Sequence, residues 1–335
     1  MSIGHNESPT LVADIGGTNA RFALIQGESH VPTQEMVLSG CDFPSPVEAI
    51  EHYLAQLNAP RPRAAAIAIA NPITGDWVKM TNHVWEFSIE QTRKALGLEK
   101  LVVLNDFTAL ALALPFIDRA ELRKVGGGEP VEHAPLALLG AGTGLGVSGL
   151  IPCAAGWVPL QGEGGHATFS PANEREADIL RIVWREYPHV STERLVAGIG
   201  IGNLYRAIAK LSGQTAESLT PAEITDRAIN GGDPLCTDVL DTFCAMLGTA
   251  AGNLALTLGA SGGVYIGGGI VPRLGEFFDR SSFRKRFEEK GRFSQHLAAM
   301  PTYVILAKTP ALLGAAEALK TMPQAAFVTY GTLVN

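Results

Sequence analysis

The chain has 335 residues, of which 46% are hydrophobic and 18% charged, so it can build sizeable cores and is not a disordered protein. Its formal net charge of −7 argues against a surface that binds nucleic acid. The 4 cysteines contain no CxxC pair, which argues against a zinc site and a disulfide framework. The opening segment MSIGHNESPT lacks a signal-peptide pattern, so we expect a cytoplasmic protein.

Strands and helices alternate along the first half of the chain. Apolar residues predict strands over 11–15 and 22–25, joined by a turn at 16–19. The next predicted elements are a helix over 46–57, a strand over 64–70, a helix over 88–96, a strand over 101–104 and a helix over 108–114. This alternation predicts an α/β fold with mixed or parallel sheets.

The second half begins with a similar unit. An apolar strand over 136–139, a turn at 140–144 and a strand over 147–151 place a second Gly-Thr turn 125 residues after the first. The remaining predicted elements are helices over 174–187, 202–212, 221–229, 235–258, 275–289 and 310–320, and strands over 264–266 and 302–307. Two such units predict two related domains, a small one of residues 1–116 plus 307–335 and a large one of residues 117–306.

Residues 242–272 carry no formal charge, which raises the question of a membrane span. The stretch also contains many glycines, together with Asn253, Ser261 and Pro272. It is better explained by a buried helix, a turn and a short buried strand, so we expect no membrane contact.

Two glycine- and threonine-containing turns are candidate phosphate sites. The first is Gly16, Gly17, Thr18 and Asn19, and the second is Gly142, Thr143 and Gly144. Backbone N–H groups in such turns form concave nests for phosphate oxygens, and two of them could hold a polyphosphate. Two ordinary hairpin turns are the alternative.

Asp14 ends the first predicted strand, just before the first turn. A carboxylate aimed at a phosphate is repulsive unless a cation lies between them, and Mg²⁺ uses one or two carboxylates and keeps several waters. Asp14 is therefore a candidate Mg²⁺ residue, acting through water. A carboxylate that accepts hydrogen bonds from turn amides would explain it as well.

The segment LVVLNDFTAL over 101–110 is the sharpest single signal. Asn105 and Asp106 follow a buried strand and precede an apolar helix, and ligands bind at the carboxyl ends of strands in α/β sheets. Asp106 is a candidate general base and Asn105 a candidate hydroxyl binder. A helix cap is the alternative for Asp106, and both roles are compatible.

Glu163 and His166 lie together in the glycine-rich segment LQGEGGHATFSP. A carboxylate accepts hydroxyl hydrogens and an imidazole donates or accepts, which suits a polyhydroxylated ligand. The Glu-x-x-His spacing also occurs in metal sites on helices, but Gly164 and Gly165 oppose a helix. A solvated glycine loop is the remaining alternative.

Three glycines, Gly267, Gly268 and Gly269, follow the strand over 264–266. Bare backbone at a strand end lets a flat ring such as adenine approach closely. A tight turn packed on the preceding helix would give the same pattern.

Taken in order, these motifs resemble those of the bacterial ATP-dependent glucokinases of the sugar-kinase/actin/heat-shock ATPase superfamily. The resemblance covers about residues 10–322 and is carried by DIGGTNARFAL, ITGDWVKMTNHVWEFS, LNDFTALALALP, GAGTGLGV, GEGGH, ERLVAGIGIGNLYRAI and GGVYIGGGIVPR. LNDFTA together with GEGGH is the part of the resemblance that is most specific to these glucokinases. The related ROK sugar kinases carry a cysteine-rich zinc motif, whereas Cys153 has no neighbouring cysteines.

The resemblance implies a two-domain actin-like ATPase (ribonuclease H-like) fold with a cleft between the domains, commonly as a homodimer. It implies phosphorylation of glucose at its 6-hydroxyl by ATP with Mg²⁺, with Asp106 as the general base. The implied sugar-binding residues are Asn105, Asp106, Glu163, His166 and Glu193. The implied nucleotide-binding residues are Gly16 to Asn19 and Gly142 to Gly144 at the phosphates and Gly267 to Gly269 at the adenosine.

Three other functions stay open from the sequence. The chain could phosphorylate another hexose such as fructose or mannose, because motifs do not fix stereochemistry at single carbons. A sugar-sensing transcriptional regulator would need a DNA-binding segment and a basic face, of which we find neither in the sequence. An actin-type ATPase would lack the Asn-Asp pair and the GEGGH motif.

Overall fold

The structure is a computed structural model that describes residues 8–27, 29, 31–57, 59–81, 83–154 and 156–322. The strands are β1 (Thr10–Ile15), β2 (Asn19–Ile25), β3 (Thr33–Ser39), β4 (Ala64–Ile69), β5 (Trp77–Lys79), β6 (Glu86–Ser88), β7 (Lys100–Asn105), β8 (Leu122–Lys124), β9 (Leu136–Ala141), β10 (Leu145–Cys153), β11 (Gly156–Gln161), β12 (Gly263–Gly267) and β13 (Thr302–Ile305). The helices are α1 (Pro46–Gln56), α2 (Ile89–Ala95), α3 (Asp106–Ala113), α4 (Glu174–Val183), α5 (Gly198–Leu211), α6 (Pro221–Ile229), α7 (Pro234–Leu258), α8 (Val271–Leu274), α9 (Glu276–Arg280), α10 (Phe283–Glu288), α11 (Ser294–Ala299) and α12 (Pro310–Thr321).

The chain packs as two compact units, which we describe separately. The first contains the described residues up to Ile117, those of 156–161 and those from Ala307 onward. The second contains residues 118–154 and the described residues of 162–306. Two stretches of chain outside 1–117 therefore complete the first unit.

A five-stranded sheet in the order β3-β2-β1-β4-β7 forms the centre of the first unit. Strands β1, β2 and β3 are antiparallel, whereas β4 and β7 run parallel to β1. The residues of β1, β4 and β7 are mostly buried, as expected for strands covered on both faces. Large side chains in this core include Phe22, Tyr53 and Trp85. A separate short hairpin pairs β5 with β6.

Helices α3 and α12 approach each other closely in this unit. A Cβ placed on Gly314 of α12 would overlap the carbonyl group of Ala109 in α3. Only glycine allows the two backbones to come this near. The terminal helix is therefore packed directly on the helix that begins at Asp106.

The second unit repeats the arrangement around β10, β9, β12, β13 and β8. Strands β9 and β10 form an antiparallel hairpin, β12 and β13 run parallel to β9, and β8 is antiparallel to β13. Each unit thus contains an antiparallel hairpin followed by two parallel strands. The sequence prediction of two similar strand–turn–strand units is confirmed.

Helix α7 is long and apolar enough to cross a membrane by length and composition, but 72% of its most apolar window is buried within the fold. Phe243 and Leu247 are fully buried, and a Cβ on Gly248 would overlap the Phe283 carbonyl of α10. These contacts support the prediction of a buried core helix.

The prediction of one helix over 275–289 is wrong. The structure has α9 and α10 there, and Gly275, at φ +52, separates α9 from α8 before it. Ser282 breaks the helix because its N and Oγ each donate to the Asp241 carboxylate of α7 at 2.7 Å. A contact between distant parts of the sequence sets this boundary.

Candidate active site

A cavity of about 420 Å³ opens in the first unit where β1 and β7 end. Its walls are Asp14, Gly16, Gly17, Thr18, Asn19, Arg21, Val37 and Asp106. Ile15 pairs with Ile69 of β4, and Ile69 pairs with Asn105 of β7, so all three parallel strands end at the same edge. This is the edge at which α/β sheets bind ligands.

Asn105 and Asp106 form one hydrogen-bonded group at the start of α3. Asn105 Oδ1 accepts from the N–H groups of Phe107 (2.9 Å) and Thr108 (3.1 Å), which makes Asn105 the N-cap. Its Nδ2 donates to Asp106 Oδ1 at 3.0 Å, and Phe107 N donates to the same oxygen at 2.9 Å. The Asp106 carboxylate is thereby oriented at the rim of the cavity.

Asp14 lies opposite Arg21 in the β1–β2 hairpin. Burial raises the pKa of the Asp14 carboxyl above its usual range, and the Arg21 charge offsets only part of that rise. In the part of the chain that the structure describes, Arg21 Nε is buried without a hydrogen-bond partner. Sequence reasoning missed Arg21, although the hairpin register would have placed it across from Asp14.

The first glycine turn is held by backbone hydrogen bonds at both of its ends. Gly16 N donates to Asn19 O and Gly40 N donates to Thr18 O, each at 2.9 Å. Gly17 and Thr18 are exposed, and Asn19 is the first residue of β2. The turn therefore presents exposed backbone to the cavity that Asp14 and Asp106 also line.

The second glycine turn, in the second unit, adjoins the start of α5. Gly142 N donates to Gly144 O, and Gly198 N donates to Gly142 O, each at 2.8 Å. The first amides of a helix carry partial positive charge, which favours an anion nearby. This turn, a candidate phosphate site from its sequence, therefore lies next to a helix terminus.

Glu193 lies against this second turn. Its Oε2 accepts a hydrogen bond from Leu145 N at 2.9 Å. A Cβ on Gly144 would come within 2.5 Å of the same oxygen, so glycine makes room for the carboxylate. Part of the Glu193 carboxylate is thus used to fix the backbone that follows the turn.

The GEGGH segment folds onto the same backbone. Gly164–His166 is a single 3₁₀ turn, in which His166 N donates to Glu163 O at 3.0 Å, and both side chains are exposed. A Cβ on Gly165 would overlap the carbonyl oxygen of Leu145. Leu145 therefore links Glu193 to the GEGGH turn, because its N–H donates to Glu193 and its carbonyl oxygen contacts Gly165. Within the described ranges, no group of three or more His, Cys, Asp or Glu side chains is placed to hold a metal ion.

The third glycine run also lies at the second turn. Gly267 pairs with Gly140 in the parallel β12–β9 ladder, and Ile270 N donates to Ala141 O at 3.1 Å. Gly268 has φ +79, and a Cβ there would overlap Ala141, whereas Gly269 is exposed with open space around its Cα. Of these three glycines, only Gly269 therefore presents open backbone beside the turn.

The structure therefore collects the predicted residues into two sets, one in each unit. The first set is Asp14, Gly16 to Asn19, Asn105 and Asp106. The second set is Gly142 to Gly144, Glu163, His166, Glu193 and Gly267 to Gly269. Acids and phosphate-type turns occur in both sets.

Known proteins are similar to this chain over most of its length. The family model described as Glucokinase matches residues 11–322. The chain is 56% identical to a glucokinase of Chromobacterium violaceum, over 95% of this chain and 92% of that protein. It is 54% identical to a glucokinase of Aromatoleum aromaticum, over 93% and 94% of the two chains.

A solved structure is similar as well. The crystal structure of a glucokinase from an Antarctic psychrotroph has 38% identity and a TM-score of 0.88, covering 93% of this chain and 99% of that one. The expected two-domain actin-like ATPase fold is confirmed. On the family match and the identities together, the chain belongs to the glucokinase family.

Proposed function

We propose that this chain transfers the γ-phosphoryl group of ATP to the 6-hydroxyl of glucose, giving glucose 6-phosphate and ADP, with Asp106 as the general base. The observation that carries the proposal is the Asp106 carboxylate, held by Asn105 and Phe107 in a cavity that also contains the Gly16–Asn19 turn. Family membership supports the same reaction.

Asp106 takes the proton from the attacking hydroxyl as the new P–O bond forms. A well-placed general base contributes roughly 10²–10⁴-fold to the rate. The two hydrogen bonds to Asp106 Oδ1 fix the plane of the carboxylate before the sugar arrives, which saves reorganisation.

The remaining sugar hydroxyls are bound by Asn105, Glu163, His166 and Glu193. Carboxylates accept hydroxyl hydrogens strongly, and imidazole and amide groups both donate and accept. The exposed Glu163 and His166 side chains suit direct contact with a ligand, and the Leu145 backbone keeps Glu193 beside them.

The phosphates of ATP are held by the turns Gly16–Asn19 and Gly142–Gly144, with the adenosine along Gly267–Gly269. Phosphoryl transfer depends mainly on such positioning and on charge stabilisation. Mg²⁺ fits the first cavity, because Asp14 and Asp106 both line it. Burial raises the pKa of Asp14 more than the Arg21 charge lowers it, so a nearby cation would stabilise the ionised carboxylate. Bound there, Mg²⁺ would neutralise phosphate charge, with Asp14 holding it through water.

We further propose that residues 1–116 with 307–335 act as the small domain and residues 117–306 as the large one. A cytoplasmic homodimer is the proposed state of the protein. Neither proposal is needed for the assignment of Asp106.

The experiment is the Asp106→Asn variant, assayed by glucose-dependent ADP formation and by calorimetric titration with glucose. We expect kcat to fall by about 10²–10⁴-fold, while the glucose Kd changes by less than about threefold. Asp118→Asn, which changes a helix-capping aspartate of the other unit, should keep the parent kcat. An Asp106→Asn variant with the parent kcat would refute the assignment of Asp106 as the general base.

Two further measurements separate the other functions. A panel of hexoses in the same assay distinguishes glucose from fructose and mannose as the preferred substrate. ADP formation without any sugar, at a rate equal to that with glucose, would indicate an actin-type ATPase instead.

A further inference from the structure

We propose that His83 is a positioning residue for the nucleotide, which acts through Gly40 on the Gly16–Asn19 turn. The inference rests on the proposed function, in which this turn holds phosphates of ATP. It adds a residue that is not among those that line the cavity.

Gly40 is the backbone support of the turn. Its N–H donates to Thr18 O at 2.9 Å, immediately after β3, and Gly40 itself is buried. Ser39, its chain neighbour, pairs with Asn19 in the β2–β3 ladder. Any shift of Gly40 is therefore passed to Thr18 by a hydrogen bond and to Asn19 through the strand register.

The His83 ring lies directly against Gly40. A Cβ on Gly40 would overlap His83 Nε2 and would lie 2.8 Å from Cε1 and 3.1 Å from Cδ2. The backbone φ of Gly40 is not positive, so other residue types could adopt its conformation. Space alone requires glycine here, and the nearest atoms that limit the space belong to His83.

The ring cannot move aside without losing its own contacts. His83 Nδ1 accepts from Trp85 N at 3.2 Å, and the two rings lie 4.4 Å apart between centroids. Trp85 is 1% exposed, and its Nε1 donates to Phe43 O at 2.8 Å. His83 and Trp85 thus hold both ends of the segment from Gly40 to Phe43.

The chemistry of the ring also indicates a role in positioning. Nδ1 is an acceptor, so the neutral ring carries its proton on Nε2, which is buried with no partner among the described residues. Burial lowers the pKa of His83, which keeps the ring neutral. The ring therefore contributes one accepted hydrogen bond and a flat edge against Gly40.

The test compares three variants, Gly40→Ala, His83→Asn and the double variant. Asparagine keeps an acceptor for Trp85 N but lacks the ring edge that fills the space at Gly40. For each protein, calorimetry gives the Kd of ATP and of glucose, and thermal unfolding gives Tm. Gly75→Ala is the matched control, because nothing lies within 4 Å of a Cβ at Gly75 of the same unit and its φ is not positive.

We expect Gly40→Ala to weaken ATP binding by about tenfold, while the glucose Kd changes by less than about threefold. In the His83→Asn background the same alanine should weaken ATP binding by less than about twofold, because the space is vacant. Gly75→Ala should leave both Kd values and Tm at the parent values.

Any of three results would overturn the inference. The first is an ATP Kd that Gly40→Ala leaves unchanged. The second is a loss of ATP affinity that is equal in both backgrounds, and the third is an equal loss of affinity for ATP and for glucose. The proposed function is tested separately by the parent chain. A parent that binds ATP but forms no glucose-dependent ADP would refute glucose phosphorylation and leave the ATP titrations to decide the role of His83.

Discussion

Asn105 Nδ2 donates to Asp106 Oδ1 at 3.0 Å, while Asn105 Oδ1 accepts from two backbone amides of α3. One amide side chain therefore caps a helix and orients the neighbouring carboxylate. These two roles of Asn105 can be distinguished by measurement. Loss of the cap changes the free energy of unfolding, whereas loss of the carboxylate orientation changes kcat.

Asn105→Ala should destabilise the fold by about 1 kcal/mol through loss of the cap. It should also reduce kcat on the order of tenfold to a hundredfold, because the Asp106 carboxylate loses its orientation. Steady-state kinetics and chemical denaturation measure the two effects. Asn173→Ala is the matched control, since Asn173 Oδ1 caps α4 by accepting from Glu176 N at 2.9 Å. Equal kcat values in the two variants would contradict the orienting role.

Glu163→Gln should weaken glucose binding by roughly fivefold to tenfold, because a charged acceptor is replaced by a neutral one. Glu163 is exposed, so Tm should stay at the parent value. Calorimetric titration with glucose measures the effect, and the exposed Glu132→Gln is the control. A glucose Kd that does not change would count against a sugar contact at Glu163.

Asp14→Asn should stabilise the fold at neutral pH while lowering kinase activity. Burial raises the folded-state pKa of Asp14 above its ordinary value of 3.8, so the folded protein holds this proton more tightly than the unfolded chain. The stability that Asp14 contributes is then complete below pH 3.8 and is lost as pH rises through the folded pKa.

Thermal unfolding at a series of pH values checks this prediction. The Tm advantage of Asp14→Asn should be largest near pH 7 and should shrink toward pH 4. An advantage that grows on acidification would show that the Arg21 charge, rather than burial, dominates at Asp14.

Gly268→Ala and Gly269→Ala should behave differently although the residues are neighbours. Alanine at Gly268 meets both a positive φ and the Ala141 backbone, so we expect a loss of more than about 1 kcal/mol in unfolding free energy. Gly269 faces open space, so alanine there should cost less than about 0.5 kcal/mol and should raise the KM for ATP if adenosine passes it. An unchanged KM for ATP would contradict an adenosine contact at Gly269.

The sequence predicts the parts of the site that depend on neighbouring residues. The transition from the apolar strand of 101–104 to Asn105 and Asp106, and both glycine turns, are visible because apolar runs end abruptly at polar or glycine residues. The turn at 16–19 and the turn at 142–144 also resemble each other, which predicts two related units.

Features that depend on distant contacts are not visible in this way. His83 touches Gly40 only after β3 and the β5–β6 region have packed. The break before α10 depends on Asp241, 41 residues away from Ser282. No local pattern contains these partners.

The close contact of Gly314 with Ala109 has a consequence for synthesis on the ribosome. The helix that starts with the proposed base is translated early, whereas its tightest neighbour is translated about two hundred codons later. A nascent chain therefore carries Asp106 on a helix that lacks its closest neighbour for most of its elongation. Competence for phosphoryl transfer is expected only after residues 310–321 have left the exit tunnel, because α3 then gains its closest neighbour.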